Sequence, residues 1–283
     1  MDIESWNMTM SFSELAKTYH ALPMFPVFDI AHYILMVLQL RLDAGIDAEG
    51  LAESNALACW LCGMLSCFGG KIIANFLLGQ PIMAAFSSTK HIIAATVVWY
   101  LMFYSPWDVC HHFMMTKLGK LLVYPVKEFS RAKKVASGVA QAAAVYPEGF
   151  VVMVIIGAVK GSGSLFIRNI ERLLRGVWVP TANEIMSPSA TFKISVTCAF
   201  LLTLQRMGVI PFPPEQIMFG LTMLIVPYKV AVILLKVGDP YVHVEKVIRP
   251  VLFKKRKGNQ SAKQQQRKDE KKEGDKDSKK KAE

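Results

Sequence analysis

The chain has 283 residues, 52% of them hydrophobic, a formal net charge of +11, and a mean hydropathy of +0.31 despite a very polar C-terminal stretch. A membrane span needs about 20 mostly apolar residues, and segments of that kind fill so much of the chain that no second globular domain fits beside them. The composition indicates a polytopic membrane protein, with a soluble α-helical protein of large buried helices as the disfavoured alternative.

In chain order, residues 1–23 come first. They carry Asp2, Glu4, Glu14 and Lys17 and lack a basic start followed by an apolar core, so a cleavable signal peptide is not expected and the first span acts as the insertion signal. Seven candidate spans follow, at roughly 24–40, 55–78, 90–107, 121–145, 149–168, 190–206 and 215–237. From Lys254 to Glu283, thirteen Lys and Arg stand against six Asp and Glu with almost no apolar residue, so this tail reads as disordered. Directly after a span, such a tail suits a cytosolic segment near anionic lipid rather than a nucleic-acid partner. It also sets the topology, because Lys and Arg accumulate on the cytoplasmic side. Seven spans then put the N-terminus on the opposite side. Arg41, Lys117, Lys120, Arg168, Arg172, Arg175 and Lys193 become cytosolic, against Lys17, Lys90 and Arg206 opposite. Lys280 and Lys281, fourth and third from the end, resemble a dilysine retrieval signal to the endoplasmic reticulum.

The two halves echo one another. Phe25-Pro26-Val27-Phe28-Asp29 opens the first span, and Tyr124-Pro125-Val126-Lys127-Glu128 opens the fourth. Gly69-Gly70, then Asn75, Leu77-Leu78 and Gly79, is matched by Gly161-Ser162-Gly163, then Asn169, Leu173-Leu174 and Gly176. Three spans per copy is an odd number, so the second copy runs inverted, an arrangement that recurs in transport proteins with the site between copies. The fold class expected is therefore an all-α membrane protein of seven transmembrane helices: an inverted repeat of two three-helix units plus a seventh helix. The glycines Gly69, Gly70, Gly161 and Gly163 are expected to break or kink the second and fifth spans beside a permeation path. Close helix packing through small residues is the alternative.

The fourth span is the least apolar and holds the charged run Lys127-Glu128-Phe129-Ser130-Arg131-Ala132-Lys133-Lys134. Lys127, Arg131 and Lys134 share one helical stripe at about 100° per residue, and like charges at that spacing repel by a few tenths of a kcal/mol per pair. An anionic lipid headgroup resting on the stripe explains it; snorkelling of Lys133 and Lys134 and a Glu128–Arg131 pair are the local alternatives. Asp29 either attracts cations or caps a helix. Lys160 sits beside Gly161 as a pore charge or gating residue, or it pairs with Glu148, Glu171 or a carbonyl. Lys229 in the seventh span is a third candidate charge; a retinal Schiff base there is disfavoured by the absent counter-ion and the inverted repeat. Cys59-x-x-Cys62 reads as buried small apolar residues. The histidines show no metal-ligand spacing, and no catalytic motif is present. Neither an enzyme nor a metal site is expected.

Taken together, the chain closely resembles the trimeric intracellular cation channels. The resemblance is carried, in order over 24 to about 237, by Met24-Phe25-Pro26-Val27-Phe28-Asp29-Ile30-Ala31-His32-Tyr33, Cys67-Phe68-Gly69-Gly70, Trp99-Tyr100, Pro106-x-Asp108, Lys127-Glu128-x-x-Arg131, Lys160-Gly161-Ser162-Gly163 and Asn169-x-Glu171-x-Leu173-Leu174-x-Gly176-x-Trp178. It implies a homotrimer of the endoplasmic or sarcoplasmic reticulum, one pore per subunit, conducting potassium as counter-ion to calcium release. It also implies a bound phosphoinositide, phosphatidylinositol 4,5-bisphosphate, on Lys127 and Arg131, with no other cofactor. Phe129 departs from the valine common in relatives. The chain then divides into a lumenal segment 1–23, a first three-helix repeat 24–107, a second repeat with its preceding loop 108–206, a seventh helix and membrane-proximal segment 207–250, and the basic cytosolic tail 251–283. An inverted-repeat secondary transporter is the rival reading.

Overall fold

The computed structural model describes residues 11–44, 47–176, 187–242 and 245–247; the basic tail, its dilysine pair and Trp178 lie outside them. The chain forms two compact units, 1–238 and 239–283, so both expected repeats share the first. In the second, the Asp239 carboxylate accepts the Tyr241 amide at 2.9 Å.

The first unit is helical: α1 Phe12–Ala21, α2 Val27–Ala44, α3 Asp47–Ser54, α4 Ala56–Leu77, α5 Thr89–Tyr104, α6 Val109–Met115, α7 Lys117–Val145, α8 Phe150–Leu174, α9 Ala190–Arg206 and α10 Pro214–Leu235. Each of the seven expected segments holds a helix. Of these, α4, α8 and α10 are long and apolar enough to cross a membrane, and α5 with the following 106–115 segment passes as a pair bent by 91°.

Short polar residues start the helices by taking orphan amides. Asn55 accepts from the Ala58 amide at 3.2 Å, Thr116 from Gly119 at 3.1 Å and Ser189 from Phe192 at 3.3 Å. Gly79 and Gly176 stop α4 and α8 at φ 65° and 74°, the left-handed ending that glycine adopts without Cβ strain. These are the two glycines that the sequence echo aligned.

α1 lies along α10 and α7 through Tyr19, which is 2% exposed. Its hydroxyl donates to the Phe129 carbonyl at 2.9 Å and meets the Thr222 hydroxyl at 3.0 Å. The Phe129 ring packs edge-on against Tyr19 and stacks on Phe28. The residue that departs from the family pattern thus joins α1, α2 and α7. The main apolar core fills the space between α2, α4 and α5, with Val37, Leu38, Met64, Phe68 and Trp99 buried. Cys59, Cys62, Cys67 and Cys198 are buried free thiols.

At the α5–α6 bend, Trp107 and Asp108 take left-handed φ of 51° and 56°, costly for residues with a Cβ. Arg41 holds the bend: its guanidinium donates to both Asp108 oxygens at 2.6 and 2.7 Å and to the Met102 carbonyl at 2.5 Å. Arg41 is only 6% exposed. Asp108→Ala strands a buried cation and releases the strained turn, an expected cost of about 2–3 kcal/mol. A melting temperature of the detergent-solubilised protein lowered by several degrees is the expected readout, and an unchanged one would refute the clamp.

Candidate functional site

α8 is central, packing on α4, α7 and α9. It meets α4 and α7 through glycines. A Cβ on Gly163 would lie 2.5 Å from the Gly70 Cα and 2.9 Å from its amide nitrogen, and one on Gly70 would lie 2.8 Å from the Lys160 carbonyl oxygen. On the α7 side, a Cβ on Gly138 would lie 2.9 Å from the Gly157 Cα. Without side chains in between, the backbones touch. α4 and α8 run as uninterrupted helices through these glycines, so the expected break is not there. The reason is hydrogen bonding: two continuous helices satisfy their own backbone while glycine permits contact. Gly69 faces Ile167 and Gly161 faces Val135 and Ser195.

Beside the α4–α8 crossing lies a cavity of about 350 Å³ whose lining includes Asp29, His32, Gly70, Lys127, Arg131, Lys134, Lys160, Gly161 and Gly163. Eight of the ten residues singled out in the sequence therefore converge. Gly69 stays at the helix contact, and Lys229 lies outside the lining, near Glu128 and Arg131, donating to the Thr191 hydroxyl at 3.2 Å.

The cations around this space are held differently. Arg131, 3% exposed, donates to both Glu128 oxygens at 2.5 and 2.7 Å, to the Gly161 carbonyl at 2.9 Å and to the Ser195 hydroxyl at 3.0 Å. The local pair left open in the sequence is thus formed, and it ties α7 to α8 and α9. Lys134 reaches Asp29 at 3.7 Å. Asp29 also lies 3.6 Å from His91, whose Nδ1 is hydrogen-bonded to the Tyr33 hydroxyl at 2.9 Å. Asp29 therefore works as an ion-pair partner inside the first turn of α2, not as its cap. Lys133 donates to the carbonyls of Tyr19 and Leu22. Lys160 donates to Gln141 Oε1 at 2.7 Å and to the Ser137 carbonyl at 3.4 Å, so of the partners considered in the sequence only the carbonyl is right. The Lys127 ammonium makes no hydrogen bond or ion pair among the described residues, and the residue stands ten positions after the first residue of α7.

Sequence reasoning missed several groups. Lys71, directly after Gly69-Gly70, also lines the cavity, and a charge in mid-span was its only signal. His32 donates from Nε2 to the Cys67 carbonyl at 3.0 Å, leaving Nδ1 buried without a partner. Asp43 bridges Arg168 at 3.1 Å and Arg172 at 3.5 Å. Asp108, His111 and His112 also gather, with ligand atoms within 4.8 Å of one another; their i, i+3, i+4 spacing was legible. Asp108 is already neutralised by Arg41, which removes the charge a cation would need there.

With this geometry in place, comparison with known proteins is informative. The family model described as TRIC channel matches residues 45–236. The trimeric intracellular cation channel type 1B.1 of Caenorhabditis elegans is 40% identical over 227 residues, covering 80% of this chain and 77% of that protein. The solved structure of a trimeric intracellular cation channel from C. elegans with bound Ca2+ superposes with a TM-score of 0.74 at 38% identity, covering 79% of this chain and 97% of that one. A further structure, described as the structural basis for activity of TRIC counter-ion channels in calcium release, superposes at 0.75 with 35% identity, covering 80% and 100%. Similarity of this extent, over the helices that build the cavity, makes the chain a member of the trimeric intracellular cation channel family, whose members are channels and not enzymes.

Proposed function

We propose that the protein is a potassium-permeable counter-ion channel of the endoplasmic or sarcoplasmic reticulum. In this reading it is a homotrimer with one pore per subunit. Each subunit has seven transmembrane helices in an inverted repeat of three plus three and a seventh helix, with a lumenal N-terminus and a cytosolic C-terminus. A phosphoinositide, phosphatidylinositol 4,5-bisphosphate, sits on Lys127 with Arg131 and Lys134 alongside, and the ion path runs by Gly69, Gly70, Gly161 and Gly163. Asp29, Lys160 and Lys229 are its candidate pore charges. The relatives' description as trimeric and as counter-ion channels in calcium release supports assembly and role. The matched glycine endings of α4 and α8 support the repeat. Moving a unit charge against 100 mV costs about 2.3 kcal/mol, so calcium release stalls unless an abundant cation relieves the field.

The observation that carries the lipid assignment is Lys127, an ammonium without a protein partner among the described residues, on the wall of a cavity of about 350 Å³ that several other cations also line. A half-buried ammonium on a cavity wall without a carboxylate calls for an anion. Lys127→Ala is therefore expected to cut binding to vesicles containing phosphatidylinositol 4,5-bisphosphate by about tenfold, the order of one lost charge-assisted hydrogen bond, while the trimer still assembles. Equal flotation of variant and parent would remove the headgroup from this site. Stepwise potassium currents in planar bilayers test the channel itself.

A further inference from the structure

Between α4, α7 and α8, next to the glycine crossings, runs a seam of neutral amides. Gln141 Nε2 donates to Asn75 Oδ1 at 3.1 Å and to Gln80 Oε1 at 2.5 Å, and Asn75 Nδ2 donates to the Pro81 carbonyl at 3.2 Å. The oxygen of Gln141 accepts the Lys160 ammonium at 2.7 Å, which also reaches the Ser137 carbonyl at 3.4 Å. Among the described residues no carboxylate meets Lys160.

This arrangement is unusual for a structural lysine. A charge kept at membrane depth ordinarily finds a counter-charge or marks an ion path, and here it is met only by oxygens that carry no net charge. Carbonyl-type oxygens are the ligands that replace the hydration shell of a permeating potassium ion. An ammonium bound to them is a monovalent cation in the same place. The side chain also has somewhere to go, because Lys160 lines the cavity that holds Lys127, and its flexible stem lets the ammonium swing between seam and cavity.

We propose that Gln141 Oε1 and the Ser137 carbonyl, backed by Asn75 and Gln80, form a monovalent-cation site in the ion path, and that the Lys160 ammonium is a tethered cation occupying it. Ions pass when Lys160 withdraws. The inference rests on the channel reading above and adds to it a site and a blocking group.

The test is single-channel recording in planar bilayers with symmetric potassium, on full-length parent and three variants. Lys160→Met removes the tethered charge at similar length and is expected to raise open probability at least fivefold. Gln141→Glu places a carboxylate against the ammonium and is expected to lower it at least fivefold. Combining Gln141→Glu with Lys160→Met should relieve that block. Open probabilities of both single variants within twofold of the parent would overturn the proposal, even if their melting temperatures change, because a packing role alone does not predict opposite signs. Should Lys160→Met fail to assemble, Gln141→Glu decides by the same criterion. A parent that gives no unitary current would instead sink the channel reading, whereas a conducting parent with unresponsive variants sinks only this one.

Discussion

Replacing Gly163 with valine is expected to abolish channel current and to disrupt the folded subunit. The first added carbon already meets backbone, 2.5 Å from the Gly70 Cα, 2.9 Å from the Gly70 amide nitrogen and 3.2 Å from the Gly69 carbonyl oxygen. No rotamer change relieves a clash with main chain, so α4 and α8 must separate along the contact that frames the cavity. Overpacking a core typically costs about 1–3 kcal/mol and occasionally more, and a backbone clash falls at or beyond the top of that range. Gly69→Ala should be milder, because its added carbon meets the Ile167 side chain, 2.7 Å from Cγ2, and Ile167→Ala, which removes that carbon, should partly restore it. Gly220 has open space around it and an ordinary φ, so Gly220→Ala is the proper control. Gly79 is not, since its φ of 65° penalises any side chain irrespective of packing. Size-exclusion profiles and planar-bilayer currents read all four. Parent-like behaviour of Gly163→Val would show that the crossing is looser than its distances imply.

The second large effect concerns Arg131. Arg131→Met removes the counter-charge of Glu128, whose side chain is 2% exposed, and two further hydrogen bonds that join α7 to Gly161 and Ser195. Breaking a buried pair by removing one partner costs about 3–5 kcal/mol, because the other charge is left uncompensated. The variant should lose thermal stability and yield little assembled protein. Adding Glu128→Leu should recover most of the stability, since an apolar pair of similar volume is often neutral to folding. Lys127→Met removes no hydrogen bond or ion pair formed among the described residues and should melt close to the parent, with the proposed headgroup binding as the property that changes. Arg131→Lys should not rescue, because one ammonium cannot reproduce the guanidinium fork. If Arg131→Met proves as stable as the parent, the buried pair contributes little and Arg131 is free to serve the headgroup. The structure thus separates two cations of one helical stripe: Arg131 holds helices together, and the Lys127 ammonium has no hydrogen-bond or ion-pair partner among the described residues.

Much of this was legible from residue order. The seven segments appeared because apolar runs of span length follow from composition alone, and each contains a helix. The Lys127, Arg131 and Lys134 stripe followed from helical spacing, and Gly70 and Gly163 stood out because paired glycines inside apolar runs need a reason. What spacing could not distinguish was whether those glycines break a helix or let two helices touch. Both uses call for the same residue, and only the approach of Gly163 to Gly70 separates them. The side-chain partner of Lys160 was equally hidden. Gln141 is a neutral amide on the preceding helix, 19 positions away, its own partner Asn75 is 66 positions away, and nothing local marks the three as neighbours. Trp107 and Asp108 gave no sign of left-handed backbone, because that strain is imposed by Arg41 from another helix.

By itself, the sequence determined that this chain is a helical membrane protein of the trimeric intracellular cation channel type, since hydropathy and motif order are local properties that survive without knowledge of contacts. It also determined which side chains are anomalous in their surroundings. The tertiary structure alone decided what those anomalies do. A charge in an apolar helix is costly wherever it stands, but whether the cost is offset by a carboxylate, an amide oxygen or a ligand depends on what the neighbouring helices bring within about 3–4 Å. For Arg131 they bring the Gly161 carbonyl and the Ser195 hydroxyl beside Glu128 of its own helix, for Lys160 they bring Gln141, and for the Lys127 ammonium they bring no polar partner among the described residues.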